Sequence, residues 1–110
     1  MGAFNVVIKS IECRACRRRV QGRIQFKYGD VWQHEYQVGD TIRWGGNDVG
    51  KPHEKNVVAD GVAEDCPHCH DDAEQSFFVF IRDNVIRDVV PSDGRYDFVA
   101  INETYLVLDA

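Results

Sequence analysis

The sequence lacks the features that would place the protein in a membrane, in a secretory route or among helical folds. No apolar run approaches the ~20 residues that a membrane-spanning helix needs. The first residues, Met1–Phe4, carry no charged region followed by an apolar run, as a secretory signal would. The longest stretch of helical composition, Asp71–Gln75, is too short to be stable as a helix. We therefore expect a cytoplasmic protein with little helix and no membrane partner.

Cysteine is also scarce, but its placement is informative. All four cysteines fall in two Cys-x-x-Cys pairs, Cys13 with Cys16 and Cys66 with Cys69. Two pairs at this spacing are the expected ligands of one tetrahedral Zn²⁺ ion. A Cys-x-x-Cys redox motif would instead open a helix beside a βαβ pattern, and the sequence shows none. We predict one structural zinc per chain as the cofactor.

Two histidines beside the second pair leave an alternative ligand set open. His68 lies within that pair and His70 directly follows it, and either imidazole could replace a cysteine at the metal. Four thiolates already complete a closed site, which has no open coordination position for catalysis. A reductase that uses a cysteine as its nucleophile would need a further cysteine, and all four are assigned to the metal. We therefore expect no catalytic residues and no enzyme activity.

The two pairs resemble the knuckles of zinc-ribbon proteins, which typically read Cys-Pro-x-Cys-Gly. Pro67 follows the first cysteine of the second pair and stiffens the turn. Arg17 and His70 stand where glycine is usual, a residue that accepts a positive φ at little cost. The layout is also broadly similar to the tent-like, two-knuckle fold of Yippee-like proteins and some reductases. The resemblance implies a structural zinc and, because zinc ribbons often serve nucleic-acid machines, a nucleic-acid partner.

Turn signals recur about every eight to twelve residues, which is typical of an all-β sandwich or small barrel. Strand patterns lie between them, over residues 4–12, 20–28, 41–44, 56–63 (with a break near Gly61) and 76–82. We predict one all-β domain over residues 1–110, mostly antiparallel, stapled by the four-cysteine zinc site.

Two hairpins are expected in the last third of the chain. The first spans residues 77–90, and a two-residue turn at Asp83-Asn84 sets these pairs opposite each other: Arg82–Val85, Ile81–Ile86, Phe80–Arg87, Val79–Asp88, Phe78–Val89 and Phe77–Val90. Both of its faces are largely apolar, so we expect them to be covered by this chain or by a second subunit. The second hairpin turns near Asn102-Glu103 and pairs Phe98 with Val107 and Val99 with Leu106.

The net charge of −5 is unevenly distributed. Residues 1–55 hold ten Lys or Arg against six Asp or Glu, and residues 56–110 hold three against twelve. The basic residues that could contact nucleic acid or a partner are Arg17, Arg18, Arg19, Arg23 and Lys27. A shared metal would bring the first three of these arginines next to the acidic residues Asp71 and Asp72. We therefore favour neutralisation within the chain over a nucleic-acid face.

The longest irregular stretch, Trp44 to Glu54, could hold a small ligand or an enzyme site. Its candidate residues are Trp44, Asn47, Asp48, Lys51 and His53. Its glycine, asparagine and aspartate residues are equally typical of an ordinary wide loop. Because no catalytic constellation is found, the preferred prediction is a non-enzymatic, zinc-stabilised module that binds a protein partner as an inhibitor, adaptor or immunity-type protein. A nucleic-acid-binding zinc ribbon and the loop site are the alternatives.

Overall fold

The structure is a computed structural model that describes residues 4–13, 16–64 and 75–108. The described chain is built of β-strands with one four-residue helical turn. In chain order the elements are β1 (Asn5–Glu12), β2 (Arg19–Phe26), β3 (Gly29–Asp30), β4 (Glu35–Gln37), β5 (Asp48–Val49), β6 (Asn56–Ala63), β7 (Ser76–Arg82), β8 (Val85–Pro91), α1 (Phe98–Ile101) and β9 (Tyr105–Val107). The predicted all-β class is confirmed.

Seven of the strands form one sheet that curls into a half-barrel. The sheet order is β4-β1-β2-β6-β7-β8, and β9 also pairs with β6. The two remaining strands, β3 and β5, form a small separate sheet. All described pairings are antiparallel except that of β1 with β4, which is parallel. The mostly antiparallel arrangement is thus as predicted.

The main core lies on one face of this sheet. Buried and more exposed residues alternate along β2, so Ile24 and Phe26 enter the core while the intervening polar side chains point outward. The central strands β6 and β7 bury consecutive residues and therefore both of their faces. The strand β6 runs unbroken through Gly61, contrary to the predicted break. A Cβ at Gly61 would lie 2.7 Å from Ile24 Cγ2 on β2. Glycine at this position therefore allows β6 and β2 to approach closely.

The turn of the β7–β8 hairpin forms as predicted. Asp83 and Asn84 take φ values of 52° and 64°, the two positive angles that a type I′ turn requires. The adjoining predicted pair, Ile81 with Ile86, is present.

Beyond that pair a β-bulge beside Phe80 changes the register. Asp88, not Arg87, is opposite Phe80, and Val89 is opposite Val79. The bulge keeps Val89 on the core face, where it is 1% exposed, whereas the straight register would align it with the outer face. The pairs predicted beyond the bulge are therefore wrong by one residue: Phe80–Arg87, Val79–Asp88, Phe78–Val89 and Phe77–Val90.

The second predicted hairpin does not form. Its first half contains the helical turn α1, and β9 pairs with residues 57–59 of β6 instead. The predicted pairs Phe98–Val107 and Val99–Leu106 are wrong. The physical reason is long-range: β2 pairs only with the Val62–Ala63 end of β6, which leaves the rest of that edge open for β9.

The C-terminal segment covers the outer face of β6 and β7. Phe98 packs with Val58 and Phe78 in a second apolar cluster, and Tyr96 and Leu106 lie against it. Both faces of the β7–β8 hairpin were expected to be covered, either by this chain or by a second subunit. Within the described residues, the chain itself covers this outer face.

Residues 41–44 do not form the predicted strand. Thr41 makes only an isolated bridge to Val85, and the nearby amide of Gly39 donates to the carbonyl of Ile86 at 2.7 Å. These contacts tie the chain after β4 to β8. The β4 side of the half-barrel is thereby linked to its β8 edge.

The strand registers give the molecule two distinct ends. Glu12 pairs with Arg19 at one end of the sheet, and Asn56 pairs with Arg82 at the other. We call Cys13 and residues 16–18, with Glu64 and Gln75, the knuckle end. Residues 27–34, 44–55 and 83–84 form the loop end.

Candidate metal centre and contact surfaces

The first cysteine pair lies at the tip of the β1–β2 hairpin, in a tight turn. The amide of Arg17 donates to the carbonyl of Cys13 at 2.9 Å, and the amide of Cys13 donates to the carbonyl of Arg18 at 2.9 Å. Arg17 takes φ = 62°, a left-handed conformation that glycine adopts at little cost. An L-residue adopts it at a cost of about 1–2 kcal/mol.

Both cysteines of this pair belong to a small apolar cluster. Cys13 is 7% exposed and packs with Val20, and Cys16 and Ile11 lie against them. Ile11 also packs against the main core, so it connects the two clusters. A cysteine pair sequestered in this way is typical of a structural thiolate site.

The second pair, Cys66 and Cys69, lies outside the described residues, as do the alternative ligands His68 and His70 and the acidic residues Asp71 and Asp72. The described residues that flank this segment are Glu64, just after β6, and Gln75, just before β7. The amide of Glu64 donates to the carbonyl of Arg23 at 2.8 Å, and the amide of Ala63 donates to the carbonyl of Gln75 at 2.9 Å. Because β6 runs antiparallel to β2, the chain at Glu64 heads toward the knuckle end. Within residues 4–13, 16–64 and 75–108, no three or more His, Cys, Asp or Glu side chains form a group that could hold a metal.

The basic candidates are not one uniform surface. Arg17, Arg18 and Arg19 are exposed at the knuckle end. Arg23 lies between two carboxylates, with its guanidinium 3.2 Å from Glu35 and 3.1 Å from Glu64. The hydrogen bond to Glu35, opposed in part by desolvation and supported by Glu64, raises the pKa of Arg23. Lys27 lines a groove on the sheet. Arg23 is therefore neutralised within the chain by Glu35 and Glu64. The predicted neutralisation of Arg17, Arg18 and Arg19 involves Asp71 and Asp72, which lie outside the described residues.

The Trp44 to Glu54 loop is braced by its own hydrogen bonds. The amide of Lys51 donates to Glu54 Oε1 at 2.6 Å, and that of Gly45 donates to Asp48 Oδ1 at 2.8 Å. Trp44 stacks edge-on against Tyr28, with ring centroids 5.4 Å apart. The side chains of the other predicted loop residues are exposed: Asn47, Asp48, Lys51 and His53. The loop therefore separates its inward tryptophan from its polar residues.

Tyr28 is the inner anchor of that loop, a role that its sequence does not signal. It is fully buried, and its hydroxyl lies 3.3 Å from both the Lys51 carbonyl and Glu54 Oε1. Burial, together with the nearby Glu54 carboxylate, raises the pKa of Tyr28 above its ordinary value. Tyr105 packs against the other side of the ring at 5.2 Å.

Asn5 is a second residue that sequence reasoning missed. It is fully buried at the start of β1. Its Nδ2 donates to the carbonyls of Tyr28 and Asp30, each at 3.1 Å. Its Oδ1 accepts from the amides of Trp32 at 3.3 Å and His34 at 3.1 Å. One amide side chain thus fixes the backbone of the loop over residues 28–34.

Trp32 stands on this fixed loop with 67% of its surface exposed. The same loop is also held by Asp30, whose carboxylate lies 3.0 Å from His34 Nε2 and accepts from the amide of Asn47 at 3.1 Å. The hydrogen bond from His34, followed by that from Asn47, lowers the pKa of Asp30. The main chain beneath the exposed tryptophan is consequently held from two sides.

No protein-family model, curated protein or solved structure matches the chain. Across the part of the chain that the structure describes, no helix is long and apolar enough to cross a membrane. The chemistry of the knuckle end and of the loop end is therefore the basis for a functional proposal.

Proposed function

We propose that the protein is a non-enzymatic binding module, stabilised by one structural Zn²⁺ ion, that engages a protein partner. The zinc ligands in this proposal are Cys13, Cys16, Cys66 and Cys69. The observation that carries the zinc proposal is the left-handed backbone at Arg17, directly after the first pair. A non-glycine residue held in this conformation is strained, and a metal that fixes the turn offsets that strain.

The length of the chain allows the last cysteine of the second pair to approach the first pair. Glu64 bonds to Arg23, and Cys13 bonds to Arg18, five residues nearer the knuckle end. At ~3.4 Å per residue this distance is about 17 Å. Cys69 follows Glu64 by five residues, so an extended segment spans this length at Cys69. At Cys66, two residues after Glu64, it spans only about 7 Å.

Metal content and thermal melting test the zinc proposal. We expect one equivalent of zinc per chain by mass spectrometry, and its loss together with unfolding in Cys16→Ser and Cys69→Ser. His70→Ala is the matched control, because it removes a neighbouring side chain that a four-cysteine site does not use. Metal-free protein with an unchanged melting curve would contradict the proposal.

The preorganised Trp32 is the observation that supports a protein partner. Tryptophan is enriched among the residues that dominate protein interfaces. Because Asn5 already fixes the main chain at Trp32, docking onto this loop orders little additional backbone. A large exposed aromatic on a rigid loop therefore suits recognition of another protein surface.

Two observations weaken the nucleic-acid alternative. Two of the aromatics that follow the first knuckle, Phe26 and Tyr28, are buried and cannot stack on bases. The charge of Arg23 is balanced by Glu35 and Glu64. Since nucleic-acid affinity comes mainly from unneutralised cations on the phosphate backbone, Arg23 contributes little to it, and the exposed Arg17, Arg18 and Arg19 would have to supply it.

Affinity capture with the tagged protein tests the partner proposal. We expect one stoichiometric protein that survives nuclease and moderate salt and is lost with Trp32→Ala. Val38→Ala is the control, since Val38 is another exposed apolar side chain, on a different turn. A catch that disappears with nuclease would instead favour the nucleic-acid alternative. Capture unaffected by Trp32→Ala would exclude this loop as the contact.

A further inference from the structure

A groove at the loop end brings together two arginines and an apolar floor. It lies between the β7–β8 hairpin and the end of β9 and has a volume of about 640 Å³. Arg82, Arg87, Phe80 and Leu108 are among its lining residues. It is remote from the knuckle end, because Arg82 pairs with Asn56 at the opposite end of the sheet.

The floor of the groove is set by the strand register. Phe80 and Arg82 are two residues apart on β7 and therefore project from the same face, about 6.7 Å apart. Leu108 is placed beside them because its amide donates to the carbonyl of Asn56 at 2.7 Å. Phe80 and Leu108 both pack on the apolar cluster around Phe78. The groove thus has an apolar position next to a cationic one.

The β-bulge decides which charge faces this groove. Asp88 takes the position opposite Phe80, and Arg87 becomes the extra residue of β8. The carboxylate of Asp88 is bound by Lys9 at 3.1 Å, so it does not neutralise Arg87. Among the described residues, neither Arg87 nor Arg82 makes a side-chain hydrogen bond or ion pair, so both guanidinium groups are available to a ligand.

The charges of the groove suit a single carboxylate better than a polyanion. Besides the two arginines, its lining includes Asp83, so the groove carries a net charge of about +1. The whole chain carries −5, which repels a nucleic-acid backbone. Two guanidinium groups provide donors that match the geometry of a carboxylate.

We propose that this groove binds an extended segment of the protein partner that carries a carboxylate and, two residues away, an apolar side chain. Alternate side chains of an extended segment lie about 6.7 Å apart on one face, which matches the spacing of Arg82 and Phe80. The carboxylate lies between Arg82 and Arg87, and the apolar group lies on Phe80 and Leu108. This inference rests on the proposed protein-binding function and adds the chemistry of what is bound.

Fluorescence anisotropy with the full chain tests the groove directly. The probe is a fluorescein-labelled octapeptide of glycine and serine that contains one glutamate and one phenylalanine two residues apart. We expect saturable binding, weakened about fivefold by each of Arg82→Gln and Arg87→Gln. Arg95→Gln, at an arginine already paired with Asp93, is the control and should bind normally. Circular dichroism melting checks that all variants fold.

Peptide and competitor variants separate this proposal from its alternatives. Replacing the glutamate with glutamine, or spacing it three residues from the phenylalanine, should weaken binding to a similar extent. No saturation at about 1 mM protein, or binding unchanged in the Arg82→Gln, Arg87→Gln double variant, would overturn the proposal. Equal competition by free 3-phenylpropionate would assign the groove to small anions, and tighter binding of a mixed oligonucleotide would assign it to a polyanion.

The capture experiment and the peptide experiment can fail independently. Trp32-dependent capture without peptide binding would refute the groove proposal alone, whereas peptide binding without capture would refute the proposed function alone.

Discussion

Replacing Asn5 with alanine should lower the free energy of unfolding by about 3 kcal/mol. The side chain makes four hydrogen bonds to backbone groups of residues 28–34, and each contributes about 1 kcal/mol. The carbonyl of Tyr28 is in a fully buried residue and would be left unsatisfied. The other three groups are the carbonyl of Asp30 and the amides of Trp32 and His34, and water can reach them in part because their residues are less deeply buried. We therefore reduce the sum of about 4 kcal/mol to about 3 kcal/mol.

Urea unfolding at neutral pH, with zinc present and monitored by circular dichroism, measures this loss. Asn47→Ala is the matched control, because Asn47 is exposed and its side chain makes no hydrogen bond in the described structure. We expect that control to change stability by less than about 0.5 kcal/mol. An Asn5→Ala loss below about 1 kcal/mol would refute the reasoning that this residue holds the loop.

The same variant links stability to function. Asn5→Ala leaves the Trp32 side chain in place but releases its main-chain amide. Partner binding should then weaken, because the loop must be ordered at the moment of docking. Unchanged partner affinity in a folded Asn5→Ala protein would show that the rigidity of the loop does not matter for recognition.

Three further predictions concern single residues. Arg17→Gly should raise the free energy of unfolding by about 0.5–1 kcal/mol in urea, because it relieves the positive φ of 62°; the neighbouring control Arg18→Gly should lower it. Gly50→Ala should cost at least about 2 kcal/mol, since its φ is positive and a Cβ would overlap a buried tyrosine ring, whereas Gly46→Ala, with open space around it, should be nearly neutral. The hydrogen bond from a histidine holds the pKa of Asp30 below its ordinary value of 3.8, so its contribution to stability is present above that pH and is lost as the pH falls below it. Urea unfolding from about pH 6 to pH 2 should show a shallower acid decline for Asp30→Asn, and an unchanged decline would contradict this assignment.

The two ends of the half-barrel divide the proposed tasks. The knuckle end carries the strained turn and the cysteine pair, which in our proposal fix the β1–β2 and β6–β7 connections with one metal. The loop end carries Trp32 and the arginine groove, which in our proposal meet the partner. Separation of this kind lets the metal stabilise the sheet without lying in the contact surface.

Some functional predictions depended on which residues share a surface, and the structure redistributes them. Arg23 was grouped with the other basic residues, yet carboxylates from β4 and from the end of β6 bind it. Trp44 was grouped with the polar residues of its loop, yet it packs on Tyr28. Neither partner could be read from the sequence, because in each case the contacting residues are more than ten positions apart.

Local sequence determined several parts of this protein by itself. The alternation of apolar residues predicts β1 and β2, because successive side chains of a strand point to opposite faces. Asp83-Asn84 predicts its own turn, because these residues tolerate the left-handed conformation. The cysteine spacing predicts a metal site, which stays a prediction, and the turn after Cys16 takes a positive φ at Arg17.

Only the tertiary structure decided the features that depend on distant partners. The bulge beside Phe80 places Val89 on the core face. The two-residue turn at Asp83-Asn84 does not determine this shift in register. The pairing of β9 with β6 depends on where β2 stops, and the four bonds of Asn5 depend on a loop more than twenty residues away. These contacts form because a folded chain must satisfy its buried polar groups and cover its apolar faces with whatever segments the topology brings near.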